Sequence, residues 1–527
     1  MAVYGDRSAA LVGTLLAVLK AGGVFLVLDP DHPPRRILRC LEAARPQAWI
    51  HIAGTAAPEE LLTTFLQSLP DGRRIDITRA MEAPVLTDGQ PVPSLEAVTG
   101  PDDRAYIAFT SGSTGDPKGI IGTHRPLTHF VRWQANTFDL RETDRFNMIS
   151  GLAHGPLLRD IFTPLSGGAT VCIPGAEDMV PGRLGEWLAD EQVTVAHLTP
   201  PMLSLLAEST SSDNARTRTR LTALRYFFFG GDRLLGSDVE HALRLAPSAQ
   251  CVNCYGTTET PQVTAYHVVQ PPMTENGSET TTLFRRETFP VGRGVEGSQL
   301  LVLNASGELA GVGERGEIFV RSPHLAQGYL HDPTRTAEKF LGNPFHPGNG
   351  DRLFRTGDLG RYLPNGEVEF LGRRDLQLKI RGVRLEIAEV EAALCRHSAV
   401  ARSVVSVGRN GRGENTLTAF LIPRDGAIPD NGDLRRFLAD ELPPAMVPAH
   451  FKTIDRLPLN SNGKIDRSKL QASLDDPAPH PRTQVSGKPT TRTEQRIADV
   501  WCDLLKTDSV SVYDNFLDIG GHSLLAM

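Results

Sequence analysis

An α/β fold with a large amino-terminal domain is predicted, on three observations. Helical and strand patterns alternate quickly near the start of the chain, which calls for a sheet with crossover connections. Val24 to Leu28 is a continuous apolar run, the pattern of a strand covered on both faces. The length, 527 residues, exceeds one core, so two or more domains follow.

The elements can be justified in order. Leu11, Val12, Leu15, Leu16 and Leu19 recur at helical spacing within Ser8 to Lys20, and Gly22 and Gly23 end that helix. After the Val24–Leu28 strand, Pro33 and Pro34 open an amphipathic helix carrying Ile37, Leu38, Leu41 and Ala44. Ser209 to Arg220 and Thr274 to Thr282 are polar and read as exposed loops. Gly292, Gly294 and Gly297 spell G-x-G-x-x-G but lead into the strand-like run Leu300 to Leu303. A dinucleotide fingerprint must instead follow a strand and open a helix, so that reading is rejected. Ala472 to Arg492 is rich in Pro, Thr, Asp and Gly and reads as a linker. Beyond it, Ile497, Val500, Trp501, Leu504 and Leu505 return to helical spacing.

Composition narrows the function class. Hydrophobic residues make up 40%, charged residues 22%, and the formal net charge is −7, a globular balance with no basic excess to suggest nucleic acid. No apolar run is long enough for a membrane span, and the first residues carry no signal-peptide pattern. Six cysteines are too sparse for a disulfide scaffold, so a cytoplasmic, reducing compartment is expected. Cys251 and Cys254 form a C-x-x-C without a second pair or a His cluster at zinc-like spacing, and the spacing reads as incidental.

Chemistry concentrates first in Tyr106 to Gly119, YIAFTSGSTGDPKG. An apolar lead enters Thr110, Ser111, Gly112, Ser113, Thr114 and Gly115, and Lys118 closes the run. Glycines let backbone N–H groups approach an anion, while the hydroxyls and Lys118 supply donors, as in a phosphate loop. A Walker A loop would end Gly-Lys-Ser/Thr; Pro117 before Lys118 excludes it and with it a P-loop kinase. TSGSTGDPKG resembles the phosphate loop of adenylate-forming enzymes, and the chain resembles an adenylation domain of a nonribosomal peptide synthetase. LKAGGVFLVLDP, CVNCYGTTET, RTGDL, GRRDLQLKIRGVRLEIAEVE and NSNGKIDR resemble further family segments in the same order.

That resemblance implies a large amino-terminal α/β domain of adenylate-forming type (residues 1–374, truncated at its start) and a small α+β carboxy-terminal subdomain (375–471). The linker (472–492) then leads to a partial helical carrier domain (493–527). It implies ATP and Mg²⁺ as cofactors and 4′-phosphopantetheine on Ser523 of GGHSL. Lys464 would bridge substrate carboxylate and α-phosphate, and Glu259 would bind Mg²⁺, with Thr258 beside a phosphate. Asp358 would accept from the ribose hydroxyls, assisted by Arg373, while Gly231, Asn253, Tyr255 and Gly256 border the base. The reaction explains these residue types: two anions must meet, so positive charge is needed where oxygen charge develops. Without its collinear partners, Lys464 reads as an exposed charge in a Gly-Asn turn. A hinge is implied at Asp375, about which Lys464 would swing out as the Lys379–Gly382 loop lines a tunnel for the thiol. Ser523 is followed by Leu at position 525, unlike a G-x-S-x-G nucleophile.

In the acid pocket the chain departs from the family. The segment Gly151 to Leu165, GLAHGPLLRDIFTPL, is similar to that of α-aminoadipate reductases but has Gly155 where an ammonium-pairing Asp is expected. A buried ammonium without a counter-charge is costly, so a substrate lacking an ordinary α-ammonium is expected. By the same resemblance His154, Gly155, Pro156, Arg159, His197, Phe228, Gly230, Cys254, Gln262 and Val263 line this pocket. Arg159 and His197 either meet a polar or acidic distal group, or Arg159 pairs with Asp160. Implied partners are a small carboxylic or amino acid, adjoining carrier and condensation-type modules, and a phosphopantetheinyl transferase, with no nucleic acid or membrane. The competing readings are an acyl-CoA ligase and a fragment serving only as carrier or scaffold.

Overall fold

The structure, a computed structural model, describes residues 1–70, 73–77, 99–110, 117–153, 155–180, 183–200, 202–203, 206, 220–260, 262–270, 288–347, 351–374, 377–380, 383–409, 415–424, 430–454, 458, 470, 487–505 and 510–512. The polar segments 209–219 and 274–282, and the linker up to residue 486, lie outside them. The chain divides into two compact units, with the boundary between Arg384 and Leu385. No helix among the described residues is long and apolar enough to cross a membrane.

The first unit opens as its sequence pattern requires. Ser8 caps the helix Ala9–Lys20, its hydroxyl accepting from the Leu11 N–H at 3.2 Å, and the helix buries Leu11, Val12, Leu15 and Val18. The apolar run that follows is a strand only over Leu26–Leu28; Phe25 makes a single bridge to Tyr106 instead. Pro33 then precedes the helix Pro34–Ala44. Strands Leu26–Leu28, Ala2–Tyr4, Trp49–Ile52 and Arg74–Ile77 lie in that spatial order, all parallel.

The element that positions most candidate site residues is a larger sheet. Its described strands run Arg293–Gly294, Ala265–Val268, Gln250–Tyr255, Tyr226–Gly230, Val195–Leu198, Arg145–Asn147 and Thr170–Cys172. The last five are parallel to one another and the first two are antiparallel additions. Alternation along a strand sends neighbours to opposite faces, and the cores divide accordingly. Phe228, Val252, Cys254 and Val195 enter one cluster, whereas Phe227, Phe229, Cys251, Ala196 and Leu198 enter the other. Cys251 and Cys254 therefore face opposite sides, which is why their C-x-x-C cannot chelate. Burial pushes both thiols up to about 12.

A third sheet is antiparallel, in the order Gln299–Leu303, Gly316–Arg321, Arg352–Tyr362 and Phe340–Gly342, with Val368–Arg373 also paired to Arg352–Tyr362. Gln299–Leu303 directly follows the G-x-G-x-x-G, so those glycines open no helix. Strands Arg104–Thr110 and Lys118–Thr123 form a hairpin whose register pairs Thr110 with Lys118. A Cβ at Gly122 would stand 2.1 Å from the Tyr106 ring, so only glycine fits opposite that tyrosine. Gly328–Tyr329 adds a short antiparallel strand outside Lys118–Thr123.

The second unit has helix Ile387–Cys395, strands Val400–Arg409, Asn415–Pro423 and His450–Thr453 in one sheet, helix Asn431–Ala439, and helix Arg492–Leu505. Glu391 ties its helix to the sheet by accepting from the Val405 N–H at 2.8 Å. Ile497 and Val500 stand exposed on the last helix.

Candidate functional site

In an open α/β sheet, ligands meet the loops beyond the carboxyl ends of the parallel strands. Three of those ends carry the predicted residues. Tyr226–Gly230 leads to Gly231, Gln250–Tyr255 leads to Gly256, Thr258 and Glu259, and Val195–Leu198 holds His197. Gly231 has φ +89°, a left-handed conformation that glycine adopts without strain. A Cβ on Gly256 would lie 2.4 Å from the Gln262 carbonyl oxygen, so the chain doubles back there tightly.

Asp358 and Arg373 come from neighbouring antiparallel strands, directly opposite in register. Arg373 Nη1 donates to Asp358 Oδ1 at 2.5 Å, and Nη2 donates to the Thr356 carbonyl at 3.1 Å. The Tyr255 hydroxyl donates to Asp358 Oδ2, also at 2.5 Å. Asp358 is 5% exposed, and its own N–H donates to Thr356 Oγ1 at 2.9 Å. Burial and the neighbouring carboxylate push the Tyr255 phenol well above its ordinary range, so it remains a donor at neutral pH. Each carboxylate oxygen has two lone-pair directions, so one remains on each for an incoming hydroxyl. Asn253 is buried with its Nδ2 donating to the Pro290 carbonyl at 2.8 Å.

Glu259 is fully buried and accepts from the Tyr329 hydroxyl at 2.7 Å on Oε1. Across the hairpin, the Thr110 hydroxyl is buried and makes no hydrogen bond. No group of three or more His, Cys, Asp or Glu among the described residues could cage a metal by itself. One carboxylate with neighbouring hydroxyls is nonetheless the donor chemistry of Mg²⁺, which completes its shell with water and substrate phosphates.

Of the residues expected to line the acid pocket, Pro156 and Arg159 lie on helix Pro156–Ser166, with Gly155 before it and Pro156 at its first turn. Gly155 has φ −49° and ψ −40°, a conformation open to any residue. A Cβ there would meet only Thr258, at 3.7 Å from Cγ2, so neither backbone nor space demands glycine. Gly230 and Cys254 are register partners on adjacent strands, as are Phe228 and His197. A Cβ on Gly230 would lie 3.5 Å from Arg159 Nη1. Val263 is buried in the cluster that holds Phe228, and Gln262 adopts φ +36°.

Beneath the pocket lies a polar chain. His197 Nδ1 bonds Asp160 Oδ1 at 3.1 Å, and Nε2 bonds Gln134 Nε2 at 2.9 Å. Gln134 Oε1 accepts from Thr163 at 3.1 Å, and Asn147 Oδ1 accepts from the His197 N–H at 2.9 Å. Both ring nitrogens of His197 are thus engaged within the protein. Burial, and then the Arg159 charge, hold His197 below its usual value. Burial alone would raise Asp160, but its bond and charge contact with His197, then the Arg159 charge and the Ser150 N–H, outweigh it and hold it low. Arg159 approaches Asp160 only to 3.6 Å, and its buried Nε has no hydrogen-bond partner.

Several predicted residues lie outside the described ones: Ser111, Gly112, Ser113, Thr114 and Gly115 of the phosphate loop, His154, Asp375, Lys464 and Ser523, with Arg381 and Gly382 of the tunnel loop. Sequence reasoning missed Tyr329, Thr356, Gln134 and Asn147. Thr356 lies within the RTGDL segment but was not singled out there; the other three are ordinary residues in their segments, recognisable only by partners far away in the chain.

Beyond the end of one parallel strand, Tyr255 thus joins Asp358 and Arg373 of the antiparallel sheet in one buried cluster, with a second buried carboxylate at Glu259. The chain belongs to the AMP-binding enzymes: the family's model matches residues 1–330, and that of the AMP-binding enzyme C-terminal domain matches 389–464. It is an adenylation domain of the adenylate-forming superfamily. L-2-aminoadipate reductase of Schizosaccharomyces pombe is 36% identical over 99% of this chain and 41% of its own length. The Saccharomyces cerevisiae enzyme of the same name is 34% identical over 99% of this chain and 42% of its own. The chain therefore spans less than half of these relatives. A linear gramicidin synthase polypeptide of Brevibacillus parabrevis is 35% identical over 99% of this chain and 10% of its own. Among solved structures, a holo nonribosomal peptide synthetase protein containing adenylation and PCP domains, bound to a vinylsulfonamide inhibitor, matches with TM-score 0.73 at 26% identity. That match covers 100% of this chain and 82% of that one.

Proposed function

We propose that this adenylation domain activates a carboxylic acid with ATP, forming the acyl-AMP and releasing pyrophosphate, and then passes the acyl group to the phosphopantetheine thiol on Ser523. The observation that carries the nucleotide half is the Asp358 cluster, a buried carboxylate bonded by Arg373 and Tyr255. In this reading the phosphate loop with Lys118 holds the β- and γ-phosphates, and Lys464 serves the bond-forming step. Glu259 would hold Mg²⁺, with Thr258 beside a phosphate; when bound, the ion neutralises charge on the phosphates. Asp375 is the hinge between residues 1–374 and 375–471. The carrier half is supported by a solved neighbour that contains both adenylation and PCP domains. A phosphopantetheinyl transferase and adjoining modules are the partners this reading requires, in the reducing cytoplasm that the sparse cysteines suggest.

Gly155 supports an acid without an ammonium beside the reacting carboxylate. The relatives named as acting on 2-aminoadipate support a second reading, an acid with a distal anionic group. Arg159 suits such a group because its guanidinium is buried with Nε lacking a hydrogen-bond partner. Pyrophosphate exchange into ATP across a panel decides among them: monocarboxylic, hydroxy and keto acids, dicarboxylic acids, 2-aminoadipate and ordinary α-amino acids. Exchange driven by ordinary α-amino acids alone overturns both pocket readings. Thioester formed only on free coenzyme A, and none on the chain, makes the protein an acyl-CoA ligase.

A further inference from the structure

Glu259 has no exposed surface, and an ionised carboxylate survives there only if hydrogen bonds replace its water. One such bond is the 2.7 Å contact from the Tyr329 hydroxyl to Oε1. Donation to the charged form favours that form, and it fixes the plane of the carboxylate.

Tyr329 is itself held from every side. Its ring is 6% exposed, in the cluster that contains Ile120, Tyr255, Phe340 and Phe354. Phe340 meets it edge-on at 5.8 Å, and its backbone N–H donates to Thr336 Oγ1 at 2.9 Å. The same short segment grips Glu259 a second time, since the Ala326 N–H donates to the Glu259 carbonyl at 3.0 Å. It is also laced to the strand that begins at Lys118. The Gln327 N–H donates to the Ile121 carbonyl at 2.9 Å and the Leu330 N–H to the Gly119 carbonyl at 2.8 Å, while Tyr329 pairs with Ile120. Residues 326–330 thus join the backbone behind Lys118 to the side chain of Glu259.

We propose that Tyr329 is the positioning residue for Glu259: its phenol holds the carboxylate aimed for a divalent cation bound together with a nucleoside triphosphate. The inference rests on the reading of Glu259 as the Mg²⁺ residue and adds to it the residue that sets its geometry. The phenol is not a metal ligand in this scheme. It acts one shell out, where loss of a partner typically weakens metal binding about 10–100-fold.

The test is Tyr329→Phe, which removes one oxygen and keeps the ring. ATP binding is measured by calorimetry against Mg²⁺ concentration and again in EDTA, with Mn²⁺ binding in the presence of ATP followed by electron paramagnetic resonance. The variant should need roughly tenfold more Mg²⁺ or Mn²⁺ for half-saturation. Its affinity for ATP in EDTA should be unchanged. Phe340→Leu is the packing control, since it loosens the Tyr329 ring but leaves the phenol in place; it should lower Tm without changing the metal requirement. Glu259→Gln separates the inference from its premise. If Glu259→Gln keeps the wild-type metal dependence, the Mg²⁺ role of Glu259 is wrong. If Glu259→Gln loses that dependence while Tyr329→Phe titrates like wild type, the premise stands and the positioning role of Tyr329 is overturned. Equal shifts in Tyr329→Phe and Phe340→Leu also overturn it, because ring packing alone then accounts for the effect.

Discussion

Asp358→Asn separates a nucleotide-binding carboxylate from a structural ion pair. The substitution keeps size and an acceptor oxygen but removes the charge that Arg373 faces at 2.5 Å. Breaking a buried pair costs about 3–5 kcal/mol when the partner is left alone. Arg373 keeps its bond to the Thr356 carbonyl, so the lower end is expected, and Tm should fall measurably without loss of folding. A hydrogen bond to a charged acceptor contributes about 1.5–3 kcal/mol and to a neutral one about 0.5–1.5. Two ribose hydroxyls on a neutralised acceptor should therefore lose about 2–3 kcal/mol, an ATP affinity lower by roughly 30–150-fold. The decisive measurement is calorimetric binding of ATP beside 2′-deoxy-ATP. Wild type should prefer ATP by roughly 10–100-fold, and the variant by only about 2–10-fold. If Asp358→Asn weakens both nucleotides by the same factor, Asp358 serves Arg373 and not the ribose, and the reasoning fails.

The other predictions test separate parts of the scheme. Lys464→Ala should lower adenylation by roughly 10²–10³ while ATP binding persists, as loss of one transition-state donor does; unchanged pyrophosphate exchange refutes its assigned role. Ser523→Ala, expressed with a phosphopantetheinyl transferase, should lack the phosphopantetheine mass increment yet adenylate normally, and a retained increment places the arm elsewhere. Gly155→Asp has room for its Cβ and should move the exchange profile toward α-amino acids; a profile unchanged across the panel removes Gly155 as the determinant. His324 is held down to about 4 by burial, then by His129 and Arg125. Its neutral folded form means the unfolded chain takes up the proton first, so this stability is complete above about pH 6.5 and is lost as pH falls toward 4. His324→Asn should flatten Tm against pH across that window, and an unchanged slope contradicts the assignment.

The legible part of this fold was local. The period of Leu11, Val12, Leu15 and Leu19 is the buried face of Ala9–Lys20, and Ser8 is its cap because a hydroxyl there reaches the Leu11 N–H. The strand after the G-x-G-x-x-G lies where the apolar run indicated. Motif residues such as Tyr255 and Asp358 could be singled out from their segments, but their bond could not, because 103 positions separate them. Tyr329 escaped for the same reason. Its two-residue strand is too short to leave a period, and an aromatic in an apolar setting signals packing before it signals a hydroxyl with a partner 70 positions away. His197 was legible as a pocket residue but not as one whose two ring nitrogens are already committed, since Asp160 and Gln134 lie 37 and 63 positions off.

The polar chain under the pocket bears on how such a domain can drift to a new substrate. Asp160, His197, Gln134 and Thr163 satisfy one another in sequence, so replacing one strands its neighbour's donor or acceptor in a dry interior. Each orphaned group costs about 1–3 kcal/mol, and energies within such a network do not add. A lineage, or an engineer, that changes the floor one residue at a time must cross destabilised intermediates. Gly155 is under no such bond, since a Cβ there meets only Thr258 at ordinary contact distance, and it can vary singly. Selectivity at this site should therefore change gradually at Gly155 and in coordinated jumps within the polar chain.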